Sequence, residues 1–233
     1  MPVRREGCRR GPGGRRRKAQ LVPPLTGGSP AQEQWEQRFG GDDYLYGTEP
    51  NEFLRAHAAE VPPGPVLCLA EGEGRNAVFL AGQGFEVSSI DLTAAGVEKT
   101  LRLAAARGVE VAARQGDLAD VDLGTGAWAG IVSIFAHVPP AVRVELHRRV
   151  VDALAPGGVL LLEAYTADQV GRGTGGPPTA ELTMSLDGLV QELHGLHVEV
   201  GRELVRDVVE GAGHTGPGAV VQVVARKPVA TAG

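Results

Sequence analysis

Cysteine is nearly absent from this chain of 233 residues, which has only Cys8 and Cys68. Cys8 stands in a basic stretch and Cys68 inside an apolar run. That argues against a disulfide between them, and a metal site needs more ligands than two thiols, so none is expected. A reducing cytoplasm is the simplest compartment for such a chain. Aromatic residues are scarce at 4%, and the apolar bulk is mostly Val, Leu and Ala. That mix suits a buried parallel sheet flanked by helices. No run of about 18 uncharged apolar residues occurs, so no membrane span is expected. The N-terminus also lacks the apolar core of a secretory signal.

Acidic charge is missing from one end. Residues 1–30 hold eight Arg or Lys and one Glu, or +7; the whole chain carries -5, so the other 203 residues carry -12. An acidic body argues against a large nucleic-acid surface. Residues 1–30 are rich in Arg, Gly and Pro and have no hydrophobic period, so they read as a disordered basic tail. A solvated tail is the simpler reading, and an arm for nucleic acid or an acidic partner is the other. Residues 31–233 read as one domain.

From Ala31 the pattern becomes regular. Helices are expected at Ala31–Phe39, Asn51–Glu60, Asn76–Gln83, Ala94–Arg107, Ala141–Leu154 and Ser185–Leu193, several of them stopped by Gly. Short apolar runs at Val66–Ala70, Glu86–Ile90, Val111–Gln115, Trp128–Phe135 and Val159–Tyr165 read as strands. This alternation calls for a parallel, doubly wound α/β sheet. Then the rhythm changes. Gly171–Pro178 reads as a loop, and His197–Glu210 and Ala219–Lys227 as a long antiparallel hairpin around a turn at Gly211–Gly218.

In an open α/β sheet, ligands bind beyond the carboxyl ends of the strands. The first such end here is Ala70-Glu-Gly-Glu-Gly-Arg-Asn76. Gly72 and Gly74 permit a turn and the close approach of a ligand, and the next helix offers free N–H groups. Taken alone, Gly72-x-Gly74-x-x-Ala77 also satisfies the nicotinamide-dinucleotide fingerprint. Asp91, at the end of the second strand, is placed to accept from two ribose hydroxyls in either nucleotide class. Asp117, after the third strand, can accept from an adenine amino group while Leu118 offers its N–H; a helix cap is its other reading. Pro156-Gly-Gly158, before a strand ending Glu163-Ala-Tyr165 and a terminal hairpin, departs from a second mononucleotide unit.

Jointly these residues resemble the class I S-adenosylmethionine-dependent methyltransferases, and within them the tellurite-resistance and thiopurine methyltransferase-like group. The resemblance rests on Gly74–Ala81, Asp91, Gly116-Asp-Leu118, Pro156-Gly-Gly158, and Glu203-Leu-Val-Arg206 leading to Ala225-Arg-Lys227. It spans about residues 35–228. It implies a Rossmann-like, seven-stranded, mostly parallel sheet with the last strand antiparallel and helices on both faces. It also implies S-adenosyl-L-methionine as cofactor, held by Ala70, Glu71, Gly72, Glu73, Gly74, Arg75, Asn76, Asp91, Leu92, Asp117, Leu118 and Phe135. One departure stands out. The first strand of that superfamily usually ends Asp-x-Gly-x-Gly, whereas Cys68 and Ala70 occupy the first two of those positions here. Glu71 is the nearest stand-in for the missing carboxylate.

Methyl transfer needs a nucleophile aligned with the S–CH3 bond and a dry site. It needs a base only if the nucleophile arrives protonated. His137, His214, Arg206 and Tyr46 are the candidates around the acceptor. Either histidine can be a base; His137 can instead bond backbone, and His214 can be a solvated turn residue. Arg206 can attract an anion or form a surface ion pair. Tyr44-Leu-Tyr-Gly-Thr-Glu-Pro-Asn51 reads as a lid, with Tyr44 and Tyr46 bordering the methyl group and Gly47 letting it move, or else as a loop packed by its aromatics; Gly171–Pro178 reads as a second cover or a plain linker. His57, His147 and His194 fall in helices and read as structural or solvent-facing. The expected function is therefore methylation of a small-molecule acceptor, such as a thiol or a chalcogen oxyanion. The alternatives are a non-catalytic S-adenosylmethionine-binding protein, an NAD(P)-dependent oxidoreductase, and a macromolecule methyltransferase using the basic tail.

Overall fold

The computed structural model describes residues 29–229, so the basic tail expected at 1–30 lies almost entirely outside the described residues. Strand β1 (Pro65–Leu69) shows how the sheet is built. Val66 through Leu69 are at most 2% exposed, and successive side chains enter opposite layers. Leu67 and Leu69 pack with one core cluster and Val66 and Cys68 with the other. A strand buried on both faces lies inside a sheet, not on its edge. The other strands are β2 (Glu86–Asp91), β3 (Val111–Gln115), β4 (Trp128–Ile134), β5 (Leu154–Tyr165), β6 (His197–Glu210) and β7 (His214–Arg226).

They form one seven-stranded sheet in the order β3-β2-β1-β4-β5-β7-β6. Strands β1 to β5 pair in parallel, and β7 runs antiparallel to both β5 and β6. Helices α2 (Glu52–His57), α3 (Arg75–Gly82) and α4 (Ala94–Arg107) supply side chains to one core layer, while α5 (Pro140–Ala153) and α6 (Leu186–Glu192) supply the other. Helix α1 (Pro30–Phe39) lies beside α4. The strand order reverses between β1 and β4, the switch point where such sheets open a crevice for ligands.

Helix α4 and strands β3 and β6 have the expected bounds. Thr93 caps α4 by accepting from the Gly96 N–H, and Gly108 ends it in the left-handed conformation. Three expectations are corrected. The helix at Asn51–Glu60 breaks into α2 and a 3-10 turn at Ala58–Glu60. Strand β5 starts at Leu154, where it pairs with Trp128. The turn is only Gly211–Gly213, because β6 and β7 stay paired up to Glu210 opposite His214. Residues 214–219 pair with β6 alone, β5 contacts beginning at Val220. A two-stranded ribbon tolerates Pro217, whose missing N–H would break a ladder inside the sheet.

Candidate active site

The crevice starts where β1 turns into α3. Ala70, Gly72 and Gly74 all have positive φ, at 45°, 65° and 96°. A Cβ on Gly74 would lie 2.6 Å from the Thr100 Cα, so only glycine fits. The Gly72 N–H donates to Asp91 Oδ2 at 2.7 Å, which ties the loop to the end of β2. Glu71 Oε1 accepts from the Asn76 and Ala77 N–H groups at 2.9 and 2.8 Å, so this carboxylate caps α3. Burial pushes its carboxyl up to about 7, against an ordinary 4.5. Burial also raises the Cys68 thiol. The expected stand-in carboxylate thus sits at the loop with one oxygen committed to the helix.

Asp91 is 8% exposed. Its Oδ1 accepts from the Thr93 N–H and hydroxyl at 2.9 and 2.6 Å, and burial raises its carboxyl above the ordinary value. The Leu92 carbonyl accepts from Gln115 Nε2. Asp117 Oδ1 accepts from the Ala119 N–H at 2.8 Å, closing the turn after β3, while the Leu118 side chain is buried in the core. No helix follows Asp117, so this contact closes a turn and is not the helix cap of the other reading. At the neighbouring start of α4, the Ala94 and Ala95 N–H groups donate to Glu36 of α1.

A lid covers this crevice. Phe39, at the end of α1, lies against Gly72: a Cβ there would be 3.3 Å from its ring. The Tyr46 N–H donates to Glu73 Oε2 at 3.2 Å, and Glu73 Oε1 pairs with Lys99 Nζ at 2.6 Å. Lys99 also donates to the Asp43 carbonyl, and Tyr44 donates its hydroxyl to the Lys99 carbonyl. The other edge of the lid rests on the β6–β7 turn. There the Gly213 N–H donates to the Leu45 carbonyl, and a Cβ on Gly211 or Gly213 would collide with Leu45 and Tyr46. The Tyr46 ring lies 4.5 Å from His214, and Phe135 lies 4.9 Å from His214 and 4.5 Å from Tyr165. Phe135 reaches this position with a φ of 54°, rare for a bulky residue.

The structure brings His214, Tyr46, Phe135 and the glycine loop together, and it settles how the other candidates are held. His137 Nδ1 bonds the Leu182 carbonyl at 2.9 Å, and its Nε2 accepts from the Tyr165 N–H at 3.3 Å. With both nitrogens on backbone, the ring braces the strand end. Burial depresses His137 and His214 to about 4, so both are neutral at physiological pH. Arg206 binds Glu163 through Nε and Nη2 at 2.8 and 2.7 Å, and Glu210 at 3.0 Å. Glu52 approaches it at 3.6 Å as well, so Arg206 is an internal cation with three carboxylate partners. Asn51 donates to Glu163 and Glu210, Gln222 donates to Glu163, and Arg75 Nη2 meets Glu210 at 2.5 Å. Burial alone would raise the Glu210 carboxyl, but Arg75 and Arg206 hold it below the ordinary value. His57 and His147 bond Glu60 and Glu192.

Sequence reading missed Lys99, Glu163, Asn51, Gln222 and Glu36. One signal was available for Lys99, which shares a helical face with Gly96, Thr100 and Leu103, the buried side of α4. Among the described residues no three His, Cys, Asp or Glu side chains gather as a metal would need, and no helix is long and apolar enough to cross a membrane.

Residues 66–158 match the family of methyltransferase domains. That span covers the glycine loop, Asp91, Asp117, Phe135 and His137, and it stops short of Tyr165, Arg206 and His214. No curated protein matches the chain. Solved structures with the same fold include a protein studied for the conversion of a disulfide bond into a thioacetal group during echinomycin biosynthesis. It has 18% identity and a TM-score of 0.68 over 87% of this chain and 94% of that one. The [4+2]-cyclase SpnF has 16% identity and a TM-score of 0.64 over 88% and 98%. A TehB-like S-adenosylmethionine-dependent methyltransferase from Corynebacterium glutamicum has 21% identity and a TM-score of 0.57 over 85% and 100%. At these identities the likeness is one of fold, and a cyclase among the neighbours shows that fold alone does not set the reaction. Residues 66–158 thus match a methyltransferase domain, and the chain shares the fold of S-adenosylmethionine-dependent methyltransferases.

Proposed function

We propose that this enzyme methylates a small-molecule nucleophile that arrives already ionised, such as a thiolate or a chalcogen oxyanion, as in the tellurite-resistance and thiopurine methyltransferase-like group. The observation that carries the reading is the packed cluster of Tyr46, Phe135, Tyr165, His137 and His214 beside the β6–β7 turn. A cluster of buried aromatic side chains at the site suits a small acceptor better than a macromolecule.

The glycine loop fits the cofactor's requirements. Gly72 and Gly74 turn the loop at the carboxyl end of β1, Asp91 stands beside it with Oδ2 on the Gly72 N–H, and Glu71 holds the Asn76 and Ala77 N–H groups of α3. When bound, S-adenosylmethionine supplies an electrophilic methyl group on a sulfonium. Gly72, Gly74 and Asp91 would hold its nucleoside, and Asp117 and Leu118 would face the adenine. Ala70, Glu71, Glu73, Arg75, Asn76, Leu92 and Phe135 would complete that side. The lid excludes water through Tyr46 and Phe39, and the aromatic wall fixes the acceptor's approach. No side chain here is a ready base: His137 is committed to backbone and His214 is held neutral with a depressed basicity. An acceptor of low pKa needs none.

The test is transfer of a labelled methyl group to a panel of thiols, selenite, tellurite, thiocyanate and phenols. Thiols or chalcogen oxyanions should be labelled, and deleting residues 1–30 should leave that activity intact. Labelling confined to RNA or protein would overturn the small-molecule reading. Cofactor binding without labelling of any acceptor would favour a non-catalytic binder.

A further inference from the structure

Among the described residues, four buried side-chain atoms have no hydrogen-bond partner: Arg75 Nη1, Arg149 Nε, Tyr165 OH and His214 Nδ1. Arg149 lies elsewhere, with its terminal nitrogens on the carbonyls of Leu118 and Val121. The other three meet at one place. Tyr165 ends β5, and its ring stands edge-on to His214 at 5.3 Å. His214 opens β7 directly opposite Glu210, and Glu210 holds Arg75 by its Nη2. Arg75 is close enough for its charge to act on His214 and on Tyr46, which roofs the group. Tyr165 is 0% exposed, Arg75 7% and His214 8%.

Buried polar atoms normally find partners, because an unmet one keeps its full desolvation cost. Partners were at hand here and were used otherwise. Glu163 is taken by Arg206, Asn51 and Gln222, and Glu210 by Arg75, Arg206 and Asn51. In that network two guanidiniums balance two carboxylates, leaving one Arg75 nitrogen to spare. The spare groups are donors: a guanidinium N–H, a phenol, and a neutral imidazole that can carry its proton on Nδ1.

We propose that Arg75, Tyr165 and His214 form an anion subsite beneath the lid that takes a carboxylate by hydrogen bonding. Arg75 Nη1 and the Tyr165 hydroxyl donate to it, and His214 adds a third donor without adding charge. Two ligands can bring the carboxylate: the amino-acid end of the cofactor, or an acid group on the acceptor. Choosing between them rests on the methyltransferase reading, whereas the subsite itself does not.

Tyr165→Phe deletes only the unpartnered hydroxyl, and Arg75→Lys keeps a cation for Glu210 while removing the spare nitrogen. Calorimetry with S-adenosylhomocysteine and with 5′-methylthioadenosine, which lacks the amino-acid end, separates the sources. If the cofactor supplies the carboxylate, both variants bind S-adenosylhomocysteine about tenfold more weakly, the worth of one hydrogen bond to a charged group. Their affinity for methylthioadenosine stays unchanged. If the acceptor supplies it, S-adenosylhomocysteine binding is unchanged. Acetate then binds the wild-type complex and fails to bind either variant's. Unchanged S-adenosylhomocysteine affinity with no acetate binding to the wild type overturns the proposal. So does a lower Tm for ligand-free Tyr165→Phe, since a truly unpartnered hydroxyl stabilises nothing. If no nucleoside binds at all, the methyltransferase reading fails. Acetate should still raise the Tm of the wild type and not that of the variants.

Discussion

Replacing Glu71 with Gln should make the protein more stable at neutral pH and remove part of its pH dependence. Glu71 is 9% exposed, and its Oε1 caps α3 through Asn76 and Ala77. A Gln oxygen can accept the same two N–H groups, so the variant keeps the cap and loses only the charge. Burial pushes the Glu71 carboxyl from an ordinary 4.5 to about 7. Between those values the folded chain holds a proton that the unfolded chain has released, so wild-type stability falls as pH rises through the interval. Each pH unit is worth about 1.4 kcal/mol, which makes the full effect about 3 kcal/mol. The two proteins should therefore be nearly equal near pH ~4, with the Gln variant about 3 kcal/mol more stable near pH ~8. Asp91 is raised as well, but it titrates in both proteins and largely cancels in the difference. Urea unfolding of both ligand-free proteins across this range is the assay. A difference independent of pH, or a Gln variant less stable at high pH, would refute the reasoning. Because the cap survives, any accompanying loss of S-adenosylhomocysteine affinity reports on the carboxylate charge itself.

Lys99→Met should cost about 3–5 kcal/mol, because it strands Glu73 as a buried, unpaired charge. Adding Glu73→Gln should recover most of that in thermal unfolding, and a double variant no better than the single one would exclude the pair as the cause. Gly213→Ala should push Tyr46 off the β6–β7 turn and loosen the lid. Stopped-flow release of S-adenosylhomocysteine should then be faster than in the wild type, and an equal rate would show that the lid does not rest there. With His137 and His214 both depressed to about 4, transfer to an acceptor ionised throughout should be flat from pH ~6 to pH ~9. A limb near pH 6.5 that disappears in His214→Gln would restore the general base.

Much of the fold is legible because its signals are local. Thr93 before α4 and Gly108 after it mark that helix to the residue, since a side-chain cap and a left-handed glycine act within one turn. The apolar run Val66–Leu69 and the positive-φ glycines after it place the ligand crevice for the same reason. The β6–β7 turn was less legible. Gly211–Gly218 has turn composition throughout, and only the pairing of β6 with a ribbon free of β5 turns most of it into strand.

The roles of the polar residues were decided elsewhere. Arg206 could be read as a substrate-facing cation until Glu163, 43 residues away, is seen to hold it. Asn51 joins Glu163 and Glu210 across separations of 112 and 159 residues. The succession of strands and helices along the chain, the glycine loop after β1 and its acidic neighbour Asp91 could be read from sequence, because each rests on residues close in the chain. Tertiary structure alone decided which charges are paired, which histidine is locked to backbone, and which three donors under the lid are left free. Hydrogen-bond satisfaction in a low-dielectric interior belongs to groups brought together from distant parts of the chain.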